Sequence, residues 1–468
     1  MNTDPLILAT CRAEPNSADP HNHVPLPAGE YRLLVVGHRR EPSPAARHCQ
    51  TCTVGSPYVT QHHLPDLPDG DVIVVVHGFN CTQQSGIETT FNVRDALAVW
   101  GVPIAAPAAA DAPPQASDQL RVMGFTWPCE HTLFPGYMAD KEAVARFAAF
   151  SLANLITDLH RAAPTRRIHM IAHSMGCFLT LKALNMLAVL HVTQGAAVEA
   201  ILTTVTWLAP DINADALERS TPASLRVRAW RHPARFLVAQ RMAQRFARPK
   251  REDEPAVAMP AAHPDAAHPL DGYGYAALDV VRQLHIYSSL RDEALWASPL
   301  ANHVTEESGS ASGAIRLGWC GPLHPHLMMV PDGHQNHRAR EVALIDCTSI
   351  ISEHGGYFFD AAVGRDLAAR LAHAQGHTSP APPAARQPLA RWHAGSPLQY
   401  PLGEEALPRG LTLWQLVAPT DHTESPHPDA PAAAAGSITV IFANLWQNRL
   451  TSAILALWIR LLRAYYRV

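Results

Sequence analysis

Residues 167–176 read RIHMIAHSMG: an apolar run that ends in a serine, with a helical pattern starting at once behind it. A serine on a sharp strand-to-helix turn has its hydroxyl lifted clear of the backbone and faces the first N–H groups of the new helix. That arrangement suits nucleophilic attack on an acyl carbon. The turn requires small residues two before and two after the serine, here Ala172 and Gly176. Alanine stands where the G-x-S-x-G pattern has its first glycine, and it keeps the steric requirement. Ser174 is therefore the expected nucleophile, against the plainer alternative of a serine capping a helix.

Three further groups would complete such a site. VVVHGFN (74–80) ends an apolar run in His-Gly, a place where the backbone can turn an N–H toward the serine. Phe79 and Met175 are the expected oxyanion donors. The acid should follow the serine in the chain. Asp292 in YSSLRDEAL (287–295) and Asp211 in LAPD (208–211) each lie just past a strand-like run, and helix capping would explain either one equally simply. The base should be a histidine after the last strand. Of 27 histidines, His354 is the first one beyond the run 341–347, in a glycine-flanked loop. The resulting order is Ser, Asp, His.

Short, continuously apolar runs must carry these groups: 32–36 (RLLVV), 71–76 (DVIVVV), 121–127 (RVMGFTW), 167–172, 201–208, 283–288 and 341–347. Such runs suit strands covered on both faces. Helical patterns at 141–161 and 177–190 lie between them, so the expected fold is a three-layer α/β structure around a mainly parallel sheet. Residues 1–30 read as an extension and 31–374 as the main domain. Within it, 212–280 form a lid-like insertion with a basic piece, FLVAQRMAQRFAR (236–248). Residues 375–436 read as a Pro/Ala-rich linker with an apolar patch at 411–417, and 437–468 as a separate helix.

The chain has 468 residues, 47% of them hydrophobic, and a formal charge of −4. The charge balance argues against nucleic acid as a partner. No basic, apolar leader opens the sequence, and the eight scattered cysteines read as reduced thiols, which points to the cytoplasm.

The pieces VVVHGFN (74–80), GFTWP (124–128), IHMIAHSMG (168–176), LAPDI (208–212), YSSLRDEAL (287–295) and HGGYF (354–358) together resemble the bacterial α/β hydrolases grouped as domain of unknown function 900. The resemblance spans roughly residues 70–365. It implies an α/β-hydrolase fold and a triad of Ser174, Asp292 and His354, and leaves the substrate open. The expected activity is hydrolysis of carboxylic esters through an acyl-enzyme, with no cofactor or metal. A membrane-acting lipase or phospholipase, retained in the cell or exported as an effector, is the first alternative. A catalytically silent binding protein is the second.

Weaker signals remain. Cys49 and Cys52 have C-x-x-C spacing without a second metal-ligand pair, and read as two reduced thiols. Trp127 either lines a pocket or packs at a strand end. The 212–280 insertion would cover the site, touch anionic lipid or stand in solvent. In 437–468 a stripe of Arg449, Arg460, Arg463 and Arg467 runs beside Trp, Leu and Ile, as in a helix lying on a membrane surface. A helix docked on the main domain fits equally.

Overall fold

The computed structural model describes residues 6–12, 26–36, 54–59, 70–79, 81, 83–105, 119–129, 141, 144–193, 200–218, 275–295, 316–322, 325, 328, 341–376, 386–389 and 407–417. The seven apolar runs become strands β2 (Arg32–Val36), β4 (Asp71–Val76), β5 (Leu120–Thr126), β6 (Ile168–His173), β7 (Leu202–Leu208), β8 (Val281–Ser288) and β9 (Glu341–Asp346), and the described residues add β1 (Leu6–Thr10), β3 (Val54–Val59), β10 (Arg386–Pro388) and β11 (Leu411–Leu416). They form one sheet in the order β10-β11-β9-β8-β7-β6-β4-β5-β1-β2-β3. The eight strands from β11 through β1 run parallel; β10 and β2 run against their neighbours.

The β4 sequence VIVVV shows why the sheet is buried on both sides. Val72, Val74 and Val76 pack with α2 (Ala149–Ala162) and α3 (Met175–Thr193). Ile73 and Val75 pack with α1 (Gln83–Val99) and α4 (Ala361–Ala374). Each such side chain contributes about 1.5–3 kcal/mol when fully buried. Helix α3 is apolar nearly all round, and Met175, Phe178, Leu179, Leu181, Leu184 and Leu187 are all buried. Asp360 caps α4 by accepting from the Ala362 and Val363 N–H groups.

Several sequence expectations need correction. Residues 6–10 are not part of an outlying extension: β1 pairs in parallel with β5, and Leu6, Leu8 and Ala9 are buried. The segment 375–436 is not only a linker, because β10 and β11 within it join the sheet beside β9. Strands of three to six residues gain their stability from pairing and leave little local pattern. The helix expected over 141–161 is a π-helical turn (Val144–Ala148) running into α2, on which Phe150 is exposed. Of the 212–280 insertion, 219–274 lie outside the described residues. So do 437–468 and Cys49 and Cys52.

β4 is where the strand order reverses, because β5 pairs on one side of it and β6 on the other. In open α/β sheets the crevice beyond the carboxyl ends of strands at such a point is where ligands bind. Ser174 follows β6 there, and His77-Gly78-Phe79 follow β4.

Candidate active site

Ser174 has φ +54, a left-handed conformation that residues with a Cβ rarely adopt. Such strain typically costs about 1–3 kcal/mol and persists only where the surroundings over-determine it. Here the Ser174 N–H donates to the Leu208 carbonyl (3.0 Å), while the Ser174 carbonyl accepts from the N–H groups of Cys177 (3.0 Å) and Asp211 (3.2 Å). Gly176 permits the turn because a Cβ there would overlap the carbonyl oxygen of His77. Gly78 comes equally close on the other side: a Cβ built on it would lie 3.0 Å from the Ser174 Cβ. The end of β4 and the serine turn are thus pressed together.

His77 is buried and its pKa is pushed down to about 3, by burial first and by the Arg12 charge second, so its imidazole is neutral. The Trp127 N–H donates to His77 Nε2 (3.3 Å), which leaves Nδ1 as the proton carrier, 2.9 Å from the Gly78 carbonyl. The Trp127 indole N–H donates to the His77 carbonyl (3.2 Å), and the two rings stack. Trp127 is fully buried, so it packs at the strand end rather than lining a pocket. The Gly78–Phe79 peptide is planar and trans, so a carbonyl held on one side directs the Phe79 N–H to the other. Met175 opens α3, and its N–H belongs to the first turn, which has no intrahelical acceptor.

His354 and Asp292 meet directly. His354 Nδ1 lies 2.8 Å from Asp292 Oδ2 and 3.0 Å from Oδ1. Asp292 is fully buried, and Oδ1 also accepts the Leu295 N–H (3.1 Å). Burial pulls the His354 pKa down, but the charge and hydrogen bond of Asp292, with help from the Asp211 charge, outweigh it, and the net shift is upward. The other candidate acid, Asp211, faces elsewhere: it forms a buried ion pair with Arg316 (3.1 Å), which also bonds Asn213.

His173 joins the two halves of the site. Its Nε2 lies 2.9 Å from the His354 carbonyl, and its ring packs against those of His354 (4.6 Å) and Phe358 (4.9 Å). Burial lowers its pKa to about 3, so the neutral ring donates Nε2–H to that carbonyl. Sequence reasoning missed this role, although His173 stands inside the serine motif. It also missed Arg12 and Arg316, for which no local signal exists. A cavity of about 270 Å³ lined by Gln283, Glu341, Asp366, Arg370, His373 and Arg386 lies beside the starts of β8 and β9, at the opposite end of the sheet. Among the described residues no cluster of three or more His, Cys, Asp or Glu is arranged for a metal ion, and no helix is long and apolar enough to cross a membrane.

This parallel sheet with helices on both faces and a strained serine at its reversal point is that of an α/β hydrolase. The chain belongs to the family of α/β hydrolases of unknown function (DUF900), whose model matches residues 57–322. Ser174 and Asp292 lie within the matched residues, and His354 lies beyond them. No curated protein matches the chain. Among solved structures it is similar to a double mutant of an esterase (17% identity over 56% of this chain and 62% of that one, TM-score 0.23). The match therefore spans less than two thirds of that esterase. It is also similar to a hydrolase from Oleispira antarctica (13% identity, 66% and 93%, TM-score 0.26) and to the phospholipase PlaB from Legionella pneumophila (12% identity, 62% and 41%, TM-score 0.21). Likenesses this distant carry no argument about activity.

Proposed function

We propose that this hydrolase is a serine hydrolase that cleaves carboxylic ester bonds through an acyl-enzyme. One observation carries the reading. Ser174 is held at φ +54 on the turn into α3, and the residue beside it, His173, bonds the loop of a histidine that is itself anchored on a buried aspartate. Strain of this kind is retained where it positions a reacting group.

In the proposed reaction the Ser174 hydroxyl oxygen attacks the ester carbonyl carbon while His354 accepts its proton at Nε2. Asp292 keeps the histidine proton on Nδ1 and stabilises the imidazolium. The N–H groups of Phe79 and Met175 bind the oxyanion. Collapse of the tetrahedral species breaks the C–O bond, and the imidazolium gives its proton to the departing alkoxide. Water then repeats the sequence on the acyl-serine and regenerates the enzyme. Raised basicity at His354 favours the first transfer.

The test is labelling with a fluorophosphonate probe, read by peptide mass spectrometry, together with turnover of p-nitrophenyl esters and phospholipids by wild type and Ser174→Ala. The expected result is a single adduct on Ser174 in the wild type and loss of about 10⁶-fold in kcat in a folded variant. A folded wild-type protein that takes no label and turns nothing over would indicate a binding role instead. Turnover of phospholipid alone would indicate a lipase.

A further inference from the structure

The N-terminal strand lies outside the residues matched by the family, yet it delivers a charged side chain to the site. Ile7 to Thr10 run in register with Met123 to Thr126 of β5. The pairing continues one step further through the Cys11 N–H, which donates to the Thr126 carbonyl (3.2 Å). The Thr126 hydroxyl donates to the Thr10 hydroxyl (3.0 Å), and the Thr10 hydroxyl also accepts the Arg12 N–H (3.2 Å). Arg12 is fixed in this way at the carboxyl end of the sheet, beside the loop that follows β4, with none of its surface exposed. Its Nη2 donates to the carbonyl of Cys81 (3.1 Å). Cys81 in turn points its thiol back at the Phe79 carbonyl (3.6 Å).

We propose that Arg12 is a positioning residue for hydrolysis: its guanidinium clamps the Phe79–Cys81 loop and so fixes the oxyanion donor that the loop carries. The inference rests on the hydrolytic reading above. The near end of the loop is already pinned, since the His77 and Gly78 carbonyls accept from Trp127 and from the His77 ring. The loop beyond Gly78 needs anchoring of its own, because a glycine leaves the backbone there free to turn. Arg12 supplies that anchor at the far end. Burying a cation whole costs several kcal/mol. A rigid, planar fork of donors returns something for that cost that a flexible ammonium does not, namely a fixed direction. The Arg12 charge also helps to lower the His77 pKa, in keeping with a guanidinium near the end of β4.

An oxyanion donor acts on the transition state, so misplacing it lowers kcat and leaves KM nearly unchanged. A displacement of about 1 Å costs on the order of 10²-fold. The experiment compares wild type with Arg12→Lys and Arg12→Met. Three quantities are measured: kcat and KM on a p-nitrophenyl ester, the inhibition constant of an alkyl boronic acid that mimics the tetrahedral species, and amide hydrogen exchange in the peptide covering 77–81. The expected result is a kcat loss of about 10- to 100-fold in Arg12→Met, with KM within twofold and boronate affinity reduced by a similar factor. Arg12→Lys should recover part of that loss, and exchange at 77–81 should speed up in both variants. Unchanged kcat in folded variants, an effect on KM alone, unchanged loop exchange, or failure of both variants to fold would overturn the inference. Active wild type with unaffected Arg12 variants would overturn it alone. Wild type that neither turns over esters nor takes a fluorophosphonate at Ser174 would overturn the hydrolytic reading and this inference with it.

Discussion

Two buried aspartates, one beyond the end of β8 and one on α4, have contrasting surroundings. Among the described residues, Asp292, beyond β8, makes one side-chain partnership, with His354, and one backbone N–H donates to it. Asp366, on α4, is enclosed by donors. It accepts from the Tyr287 hydroxyl and from Arg386, and Arg370 lies 3.6 Å away and reaches toward Glu341 as well. An ionic cluster of this kind ties β8, β10 and α4 together. A sparsely bonded carboxylate leaves its histidine free to exchange a proton. The charges on α4 are held by several neighbours, whereas the carboxylate beyond β8 is shared with one histidine.

The sharpest way to break this comparison is to neutralise each aspartate in turn. Asp292→Asn should lower kcat by about 10⁴-fold, as loss of the orienting carboxylate does in serine proteases, with a small change in melting temperature. Asp366→Asn should leave kcat per folded molecule within about threefold and cost roughly 3 kcal/mol of stability, because it leaves buried cations short of their counter-charge. Asp211→Asn belongs with the second case, since its partner Arg316 is fully buried. Denaturant melts and active-site titration on the same samples check all three. If Asp366→Asn abolishes turnover at full stability, the two aspartates do not serve separate purposes.

The comparison also predicts two pH windows. His354 has its pKa raised, so the neutral base is lost as pH falls through a value above 6.5, and the acid limb of kcat/KM should lie there. In Asp292→Asn that limb should move to lower pH. Stability follows the opposite group of histidines. His77, His173 and His285 have pKa values near 3 and His169 near 4, all depressed mainly by burial. The unfolded chain takes up protons below about 6.5 and the folded one does not. Their contribution is thus complete above 6.5 and is lost as pH falls toward 3 to 4. Stopped assays from pH 5 to 9, beside chemical melts from pH 4 to 8, should show activity failing first and the fold second. Coincident midpoints would contradict the assignment.

The smallest effect concerns strain. Ser174→Gly should be as inactive as Ser174→Ala yet more stable than it by about 1 kcal/mol, because glycine adopts a positive φ without penalty. Equal stabilities would mean that the turn stores no strain.

The sequence alone determined the serine turn, since every requirement for it lies within Ala172 to Gly176 and the strand leading in. It also determined the buried central strands, because a sheet covered on both faces demands unbroken apolar runs such as 71–76. It left the acid open between Asp211 and Asp292: both follow a strand, and nothing nearby in the chain says which carboxylate a histidine will meet. Only tertiary structure brings Arg316 to Asp211 and His354 to Asp292, and the proposed triad uses Asp292 on that ground. Tertiary structure also decided that β1 and β11 join the sheet, since strands this short are stabilised by neighbours distant in the chain. Arg12 and His173 find their partners only there, because a hydrogen bond from Arg12 to Cys81 or from His173 to His354 depends on how the chain folds back on itself and on no local pattern of residues.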